Sequence, residues 1–259
     1  MKTLLLAGGL GTRISEESDH RPKPMVEIGG MPILWHIMKE YLYYGFNDFV
    51  ICAGYRQYMI KKWFADYAFY TSDMTIDFTD SNTNNKLQFH NDRTEPWRVT
   101  VLDTGLNTNT GGRIKRAQEQ IGNERFMMTY GDGVCDVDIK KLLEFHESHG
   151  KIATLTSVIQ KQQKGVLDVS IDNSVRSFRE KSHNDRSLIN AGYMVLEPEI
   201  FDYLDDNSVF ETDALTKLAQ EGQLMSYTHN GFWQCMDNLL EKRQLEAMLE
   251  SGNAPWIKW

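Results

Sequence analysis

Two apolar runs that each end at a glycine constrain the fold of this chain most strongly. The first covers residues 3–6 and leads into Gly8 and Gly9, and the second covers residues 49–53 and ends at Gly54. A continuous apolar run of this length is typical of a strand that is buried on both faces of a parallel sheet. Because a helical pattern follows each run, the alternation predicts an α/β fold with right-handed crossovers.

The rest of the chain continues this alternation. Pro32 opens a predicted helix whose apolar residues recur at helical spacing until Gly45 stops it. The same reasoning predicts further helices over residues 59–69, 112–121 and 139–149, and strands over residues 126–130, 152–159, 166–171, 175–178 and 189–196. We therefore predict a mostly parallel central sheet that is flanked by helices.

The middle of the chain departs from this rhythm. Residues 74–78, 86–90 and 99–102 alternate between apolar and polar side chains, and Asn-rich segments separate them. Such short alternating strands predict a small β-rich insertion over about residues 72–104. Since the sequence shows no repeat and no linker-like segment, we predict that residues 1–259 form a single domain.

Charge and hydropathy exclude several classes of partner. The formal net charge is -8, which argues against general binding to nucleic acids or to anionic membranes. No apolar run approaches the length of a membrane span, and the run at the N-terminus is too short for a signal peptide. We therefore predict a cytoplasmic location. Local groups of cations, such as those around Arg13, Lys23 and Arg113, could still bind phosphates.

The first chemical motif is Gly8-Gly9-Leu10-Gly11-Thr12-Arg13, directly after the first predicted strand. Glycines let the backbone approach a ligand closely, and successive N–H groups can bind phosphate oxygens. A dinucleotide-binding fingerprint is not met, because Ile14 stands where its third glycine belongs. A tight turn that binds no ligand stays open as the alternative.

The second motif is a lysine between two prolines, in Arg21-Pro22-Lys23-Pro24. The prolines predict an extended backbone at Lys23, which would aim an ammonium group at an anion at low entropic cost. By itself this lysine could equally be an ordinary residue of a surface loop. Its position shortly after the glycine loop favours a role in binding phosphate.

The third motif is Asp132 in Tyr130-Gly131-Asp132-Gly133, which follows the predicted strand 126–130. Ligands of open α/β sheets bind beyond the carboxyl ends of the strands, so this carboxylate is well placed for a ligand. An aspartate between glycines is also common in plain turns, which is the alternative.

These motifs together resemble the sugar-1-phosphate nucleotidylyltransferases. The family signature is G-G-x-G-T-R followed by a K-P pair, and Gly8 to Arg13 and Lys23-Pro24 meet it. The resemblance covers nearly the whole chain and is greatest to the subgroup of cytidylyltransferases that act on glucose 1-phosphate. The segments that carry it are Pro24 to Gly30, Pro32 to Met38, Glu95-Pro96-Trp97, Thr110 to Arg113, Tyr130 to Gly133 and Gly231 to Gln234.

The resemblance implies a Rossmann-like nucleotidyltransferase fold and a Mg²⁺-dependent enzyme. It implies CTP and glucose 1-phosphate as substrates, CDP-glucose for dideoxyhexose synthesis as the product, and a homo-oligomer, for which we expect a hexamer. Another base or sugar, as in dTDP-glucose or a CDP-heptose, is the alternative within the enzyme class. A non-catalytic nucleotide-binding regulator is the alternative outside it, and the presence of all the expected charged residues disfavours it.

The resemblance also implies a role for individual residues. Arg13 and Lys23 would be catalytic, and Asp132 and Asp237 would hold Mg²⁺, although Asp237 by itself has the pattern of a helix N-cap. Nucleotide binding would fall to Leu6, Ala7, Gly8, Gly9, Gly11, Thr12, Arg13, Thr108, Thr110, Gly111, Arg113 and Gly131. The sugar phosphate would be bound by Glu180, Lys181, Asn190 and Gly192. The sugar side departs from the family pattern at Ser182 and at Gln163-Lys164-Gly165, where proline and Arg-Phe-Gly are usual.

Overall fold

The computed structural model describes residues 1–79, 86–161, 166–169, 174–179 and 186–259. Its strands, in chain order, are β1 (Lys2–Ala7), β2 (Glu27–Ile28), β3 (Met31–Pro32), β4 (Asp48–Ala53), β5 (Asp73–Asp77), β6 (Lys86–His90), β7 (Arg98–Asp103), β8 (Phe126–Tyr130), β9 (Gly133–Cys135), β10 (Ala153–Lys161), β11 (Val166–Val169), β12 (Val175–Arg179), β13 (Arg186–Leu196), β14 (Leu224–His229) and β15 (Trp233–Cys235).

The helices, in the same order, are α1 (Ser15–Ser18), α2 (Ile33–Tyr43), α3 (Gln57–Ala65), α4 (Tyr67–Thr71), α5 (Thr110–Arg116), α6 (Gln118–Ile121), α7 (Ile139–His149), α8 (Leu215–Gln220) and α9 (Leu239–Glu250). Short 3₁₀ turns form at Thr12–Ile14, Lys23–Met25 and Pro198–Tyr203, and a π-helical turn forms at Phe210–Ala214. Within the described ranges, none of the helices combines the length and the hydropathy that crossing a membrane requires.

Seven strands form the central sheet, in the order β14-β10-β13-β8-β1-β4-β7. The strand β1 pairs in parallel with β4 and β8, and the two edge strands β7 and β14 are parallel to their neighbours. Among the strands that the structure describes in this sheet, only β13 is antiparallel to the strands on both its sides. The predicted mostly parallel sheet is confirmed. The sequence did not reveal the direction of β13, because a buried apolar strand has the same pattern in either orientation.

Helices cover both faces of this sheet, which explains why β1 is apolar throughout. Leu5 points into a core that α2, α3, α7 and α9 complete, whereas Leu4 and Leu6 point into a second core with α5, α6 and α8. All three leucines are buried. The helix predicted after Pro32 is confirmed as α2, and Gly45 follows it with a φ of 92°, a conformation that favours glycine.

Only two of the three strands of the predicted insertion stand apart from the central sheet. The strands β5 and β6 pair with each other as a separate hairpin, in which Met74 lies opposite Phe89 and Ile76 opposite Leu87. Residues 99–102 belong instead to β7, the edge strand that runs parallel to β4. This part of the prediction was wrong because a half-buried edge strand shows the same alternation as a strand of a hairpin.

Candidate active site

A cavity of about 490 Å³ opens at the carboxyl ends of β1 and β8. These ends lie at the same level because Leu6 pairs with Tyr130, and the Gly131 N–H donates to the Leu6 carbonyl at 2.9 Å. Nearly all the residues that we predicted to bind the nucleotide line it. The lining consists of Leu6, Ala7, Gly8, Gly9, Gly11, Thr12, Lys23, Pro24, Thr108, Asn109, Thr110, Arg113, Tyr130, Gly131, Asp132, Val209 and Glu211.

Two of the predicted nucleotide-binding residues, Gly111 and Arg13, differ from the others. Gly111 is not among the described residues that line the cavity. A Cβ atom there would lie 2.7 Å from Ser208, so glycine at this position lets α5 pack closely against Ser208. The backbone of Arg13 belongs to the turn Thr12–Ile14, but its side chain lies outside the described part of the structure. The catalytic role of Arg13 therefore stays a prediction.

Gly8, in the glycine loop of residues 8–13, and Gly54, which follows β4, both pack closely against the guanidinium group of Arg113. A Cβ atom at Gly8 would lie 2.1 Å from Nη1 of Arg113, and one at Gly54 would lie 2.5 Å from the same atom. Both distances are far below van der Waals contact, so only glycine fits at these two positions while Arg113 is in place. That the N–H groups of the loop bind phosphate oxygens stays a prediction.

Arg113 is buried and holds the loop that follows β7. Its Nη1 donates to the Thr104 hydroxyl and to the Gly105 carbonyl at 2.7 Å each, and its Nη2 donates to the Leu106 carbonyl at 3.1 Å. Burial also lowers the pKa of Arg113. Since these bonds occupy three of the five N–H groups of the guanidinium, Arg113 holds residues 104–106, which lead to the predicted nucleotide-binding residues Thr108 and Thr110, as well as lining the cavity.

Lys23 reaches the cavity from a turn that the sequence did not predict. Pro22 is extended, with φ -65° and ψ 144°, but Lys23 begins the 3₁₀ turn Lys23–Met25. Our prediction of an extended backbone at Lys23 was wrong. The turn tolerates Pro24 because the N–H that proline lacks has no partner in the first turn of a helix.

The ammonium group of Lys23 lies between two carboxylates. Its Nζ is 2.6 Å from Oδ2 of Asp132 and 2.6 Å from Oδ1 of Asp237. Burial lowers the pKa of Lys23, but the charges and hydrogen bonds of the two aspartates outweigh burial, so the pKa lies above its usual value. Lys23 is therefore a firmly protonated and largely buried cation at the cavity.

A short two-stranded ribbon brings the two aspartates together from distant parts of the sequence. The strands β9 and β15 pair with Gly133 opposite Cys235, and the Met236 N–H donates to the Asp132 carbonyl at 2.9 Å. The N-cap of α9 is Asn238, whose side chain accepts the N–H of Glu241. The alternative interpretation of Asp237 as this helix cap is therefore wrong.

The Asp132–Asp237 pair fits a hard divalent cation. Both carboxylates already contact one cationic atom, Nζ of Lys23, so they converge on a single point. Mg²⁺ usually takes one or two carboxylates and completes its shell with water and phosphate oxygens. Glu241 accepts the backbone N–H of Asp237 and helps to fix it. The structure thus brings the predicted ligands together, and their binding of Mg²⁺ stays a prediction.

A buried glutamate supports this ribbon. Glu40 accepts a hydrogen bond from the Tyr193 hydroxyl at 2.9 Å, and the same hydroxyl lies 3.1 Å from the Gly133 carbonyl. Burial raises the pKa of Glu40 well above its usual value, and the hydrogen bond from Tyr193 offsets only part of this effect. The carboxyl group is therefore neutral in the folded chain at pH values where it is ionised in the unfolded chain.

We expect the substitution Glu40→Gln to flatten the pH dependence of stability. In the wild type, this group stabilises the fold most below its unfolded pKa of about 4.3, and the contribution is lost as the pH rises towards the folded pKa. An amide does not titrate, so the free energy of unfolding of the variant should fall less steeply as the pH rises above the unfolded pKa of about 4.3. Urea unfolding at several pH values measures this, with Glu124→Gln at an exposed position as the control. An unchanged slope would contradict the neutral carboxyl group.

The sugar side of the site is only partly described. Asn190 accepts the Gly192 N–H at 2.8 Å through its side chain, and a Cβ atom at Gly192 would lie 2.5 Å from the ring of Tyr130. Gly192 therefore packs behind a residue of the cavity wall. Glu180, Lys181, Ser182 and residues 163–165 lie outside the described residues, so the predicted sugar-phosphate contacts stay predictions.

Glu211 also lines the cavity, although its sequence pattern did not predict a site residue. It lies in the π-helical turn Phe210–Ala214 and accepts hydrogen bonds from the hydroxyls of Tyr130 and Thr110. Nothing in its sequence surroundings marks a binding residue, because a glutamate in a helical stretch is usually solvated. Only the packing of this turn against α5 and β8 places it in the cavity.

The sequence model of the nucleotidyl transferase family matches residues 2–237 of this chain. The chain is also 50% identical to the glucose-1-phosphate cytidylyltransferase of Salmonella typhi over the whole of both proteins. The chain belongs to the nucleotidyl transferase family. Within this family it is 40% identical to the probable glucose-1-phosphate cytidylyltransferase of Bacillus subtilis, again over the whole of both proteins. The resemblance to this subgroup of nucleotidyl transferases is thus confirmed.

A solved structure supports the fold of this nucleotidyl transferase. The crystal structure of HddC from Yersinia pseudotuberculosis complexed with GMP-PN has a TM-score of 0.65 and is 26% identical. The similarity covers 96% of this chain and 99% of HddC. The predicted Rossmann-like nucleotidyltransferase fold is confirmed.

Proposed function

We propose that this chain transfers CMP from CTP to α-D-glucose 1-phosphate and releases CDP-glucose and pyrophosphate. The observation that carries the proposal is the Lys23 ammonium between Asp132 and Asp237, at the edge of the cavity formed by the glycine loop. The full-length identity of 50% to a glucose-1-phosphate cytidylyltransferase supports CTP and glucose 1-phosphate as the substrates. The nucleotide analogue in the HddC complex supports a nucleotide in the cavity.

The chemistry needs positive charge more than it needs a general base. A sugar phosphate has a second pKa of about 6, so it is largely dianionic near neutral pH and can attack the α-phosphorus without a base. The difficulty is the repulsion between two polyanions and the charge that grows on the leaving pyrophosphate. Lys23 would stabilise this charge beside the α-phosphate, and Arg13 and the N–H groups of residues 8–12 would bind the triphosphate.

The remaining residues would orient the substrates. Asp132 and Asp237 would hold Mg²⁺, which supplies further positive charge to phosphate oxygens. The loop around Thr108 to Arg113 would contact the cytosine, whose amine and carbonyl can pair with backbone carbonyls and a nearby cation. Glu180 and Lys181 would bind the sugar phosphate, together with Asn190 and Gly192.

We also propose a cellular setting for this reaction. The enzyme would be a homo-oligomer of the cytoplasm, and we expect a hexamer. Its CDP-glucose would supply the synthesis of dideoxyhexoses for surface polysaccharides.

A panel of substrates tests the proposed reaction. We expect CTP with glucose 1-phosphate and Mg²⁺ to give the highest kcat/KM among CTP, UTP, dTTP, ATP and GTP tested with several sugar 1-phosphates. Release of pyrophosphate measures the rate, and the Asp132→Asn variant controls for contaminating activity. A tenfold preference for dTTP or UTP, about 1.4 kcal/mol, would contradict the assignment of the base. Binding of CTP without turnover of any pair would indicate the regulator instead.

A further inference from the structure

The proposed reaction leaves Glu211 without a role, although this residue lines the cavity. The Tyr130 hydroxyl donates to its Oε1 at 2.5 Å, and the Thr110 hydroxyl donates to its Oε2 at 2.6 Å. The Thr110 hydroxyl in turn accepts the N–H of Phe210 at 3.0 Å, which links the start of α5 to the turn that carries Glu211. The carboxylate is therefore held in one orientation by hydrogen bonds from two elements of the fold, β8 and α5.

Both hydrogen-bonded partners of this carboxylate are neutral. Over the described ranges of the chain, no lysine or arginine forms an ion pair with Glu211, and its partners are the two hydroxyl groups. Burial, and then the charge of Glu211, raises the pKa of Tyr130, so this hydroxyl remains a donor. Each carboxylate oxygen can accept two hydrogen bonds and uses one. Each oxygen therefore keeps a position for one more donor.

A nucleotide and a sugar phosphate each contain anionic phosphates and a neutral part that carries hydroxyl groups. The charges of the cavity distinguish these two kinds of group. Lys23 and the glycine loop attract phosphates, whereas an anionic carboxylate repels them. Glu211 therefore favours the binding of a neutral part of the substrate that carries hydrogen-bond donors. Two acceptor oxygens on one carbon match two hydroxyl groups on adjacent carbons of a sugar ring, and hydrogen bonds to a charged acceptor are among the stronger ones.

We propose that Glu211 binds a pair of adjacent ring hydroxyls of the substrate and thereby determines specificity. Such a pair of adjacent hydroxyls occurs both in the ribose of the nucleotide and in the hexose of the sugar phosphate, so the experiment has one arm for each sugar. This inference rests on the proposed function. A substrate that lacks one of the two hydroxyls leaves a carboxylate oxygen without its donor in a confined site, which costs affinity and rate.

The test compares substrates that differ by one hydroxyl in the wild type, in Glu211→Ala and in Glu211→Gln. The ribose arm compares CTP with 2′-deoxy-CTP, and the hexose arm compares glucose 1-phosphate with 3-deoxyglucose 1-phosphate. The 3-hydroxyl belongs to every adjacent pair that the 2-, 3- and 4-hydroxyls can form, so its removal tests them all. We expect the wild type to prefer the complete substrate by at least about tenfold in kcat/KM in one of the two arms. This is the ribose arm if Glu211 contacts the nucleotide and the hexose arm if it contacts the sugar.

Glu211→Ala should abolish that preference in the same arm, because both acceptor oxygens are gone. Glu211→Gln keeps one acceptor oxygen and should retain part of the preference, which also preserves the test if the alanine variant folds poorly. Loss of preference in the ribose arm places Glu211 on the nucleotide, and loss in the hexose arm places it on the sugar. Lower activity with both preferences unchanged would overturn the proposal, since it would indicate a purely structural role.

The matched control is Glu221→Ala. Glu221 also accepts a hydrogen bond from a tyrosine hydroxyl, that of Tyr203 at 2.6 Å, but it is exposed and is not among the described residues that line the cavity. This variant should keep both preferences. Calorimetric binding of CTP and 2′-deoxy-CTP gives the ribose arm a readout that does not require turnover. If the wild type makes no CDP-glucose, the proposed function fails, while the ratio of the two binding constants still tests Glu211.

Discussion

Removal of the Lys23 ammonium group is expected to lower kcat by at least about tenfold while CTP still binds. Lys23 is 6% exposed and contacts two carboxylates, so its charge is largely shielded from solvent and is screened less than the charge of a surface lysine. Charge that develops in the transition state should feel such a cation more strongly than the bound substrate does. The loss in Lys23→Ala should therefore appear mainly in kcat, as steady-state kinetics and calorimetric binding of CTP can show.

Lys39→Ala is the matched control for this experiment. Lys39 also forms an ion pair with a partly buried carboxylate, at 3.0 Å from Glu95, but it is not among the described residues that line the cavity. Loss of this pair should change stability and leave kcat near the wild-type value. If Lys23→Ala turns over at the wild-type rate, Lys23 has only the structural role of neutralising the two aspartates.

The sequence predicted those parts of the fold that follow from local pattern. The runs at β1 and β4 are apolar throughout because both faces are buried, and glycine follows each run because Gly8 and Gly54 pack against Arg113. Local pattern could not assign β7 to the central sheet, because pairing with β4 is a contact between distant segments. The antiparallel direction of β13 likewise depends on its pairing with β10 and β8, and local pattern does not report such pairing.

The site shows the same division between local and tertiary information. Asp132 could be placed from its position after a strand, but Asp237 was assigned only through the resemblance to a family. The pairing of β9 with β15 is what brings it to Lys23. Glu211 had no signal at all, since its neighbours in the cavity wall are Tyr130 and Thr110, both distant in sequence.

The second large effect is expected at the two aspartates. Asp132→Asn and Asp237→Asn should each lower kcat by about a hundredfold, because a catalytic cation contributes several kcal/mol. Each should also raise the Mg²⁺ concentration that gives half-maximal activity. Since both carboxylates would serve one ion, the double variant should be little worse than the poorer single variant. Losses that multiply, with an unchanged dependence on Mg²⁺, would contradict a shared ion.

The position of Lys23 adds a test of the same metal site that needs no turnover. Its ammonium lies 2.6 Å from both carboxylates, so a divalent cation must compete with it for Asp132 and Asp237. Without nucleotide, Lys23→Met should therefore bind Mn²⁺ at least about tenfold more tightly than the wild type, since a competing charge is gone. In the wild type, added CTP should strengthen Mn²⁺ binding, because the phosphates give both cations further partners. The electron paramagnetic resonance signal of free Mn²⁺ measures these affinities. Equal affinity of Lys23→Met and wild type would show that ammonium and metal do not share the two carboxylates.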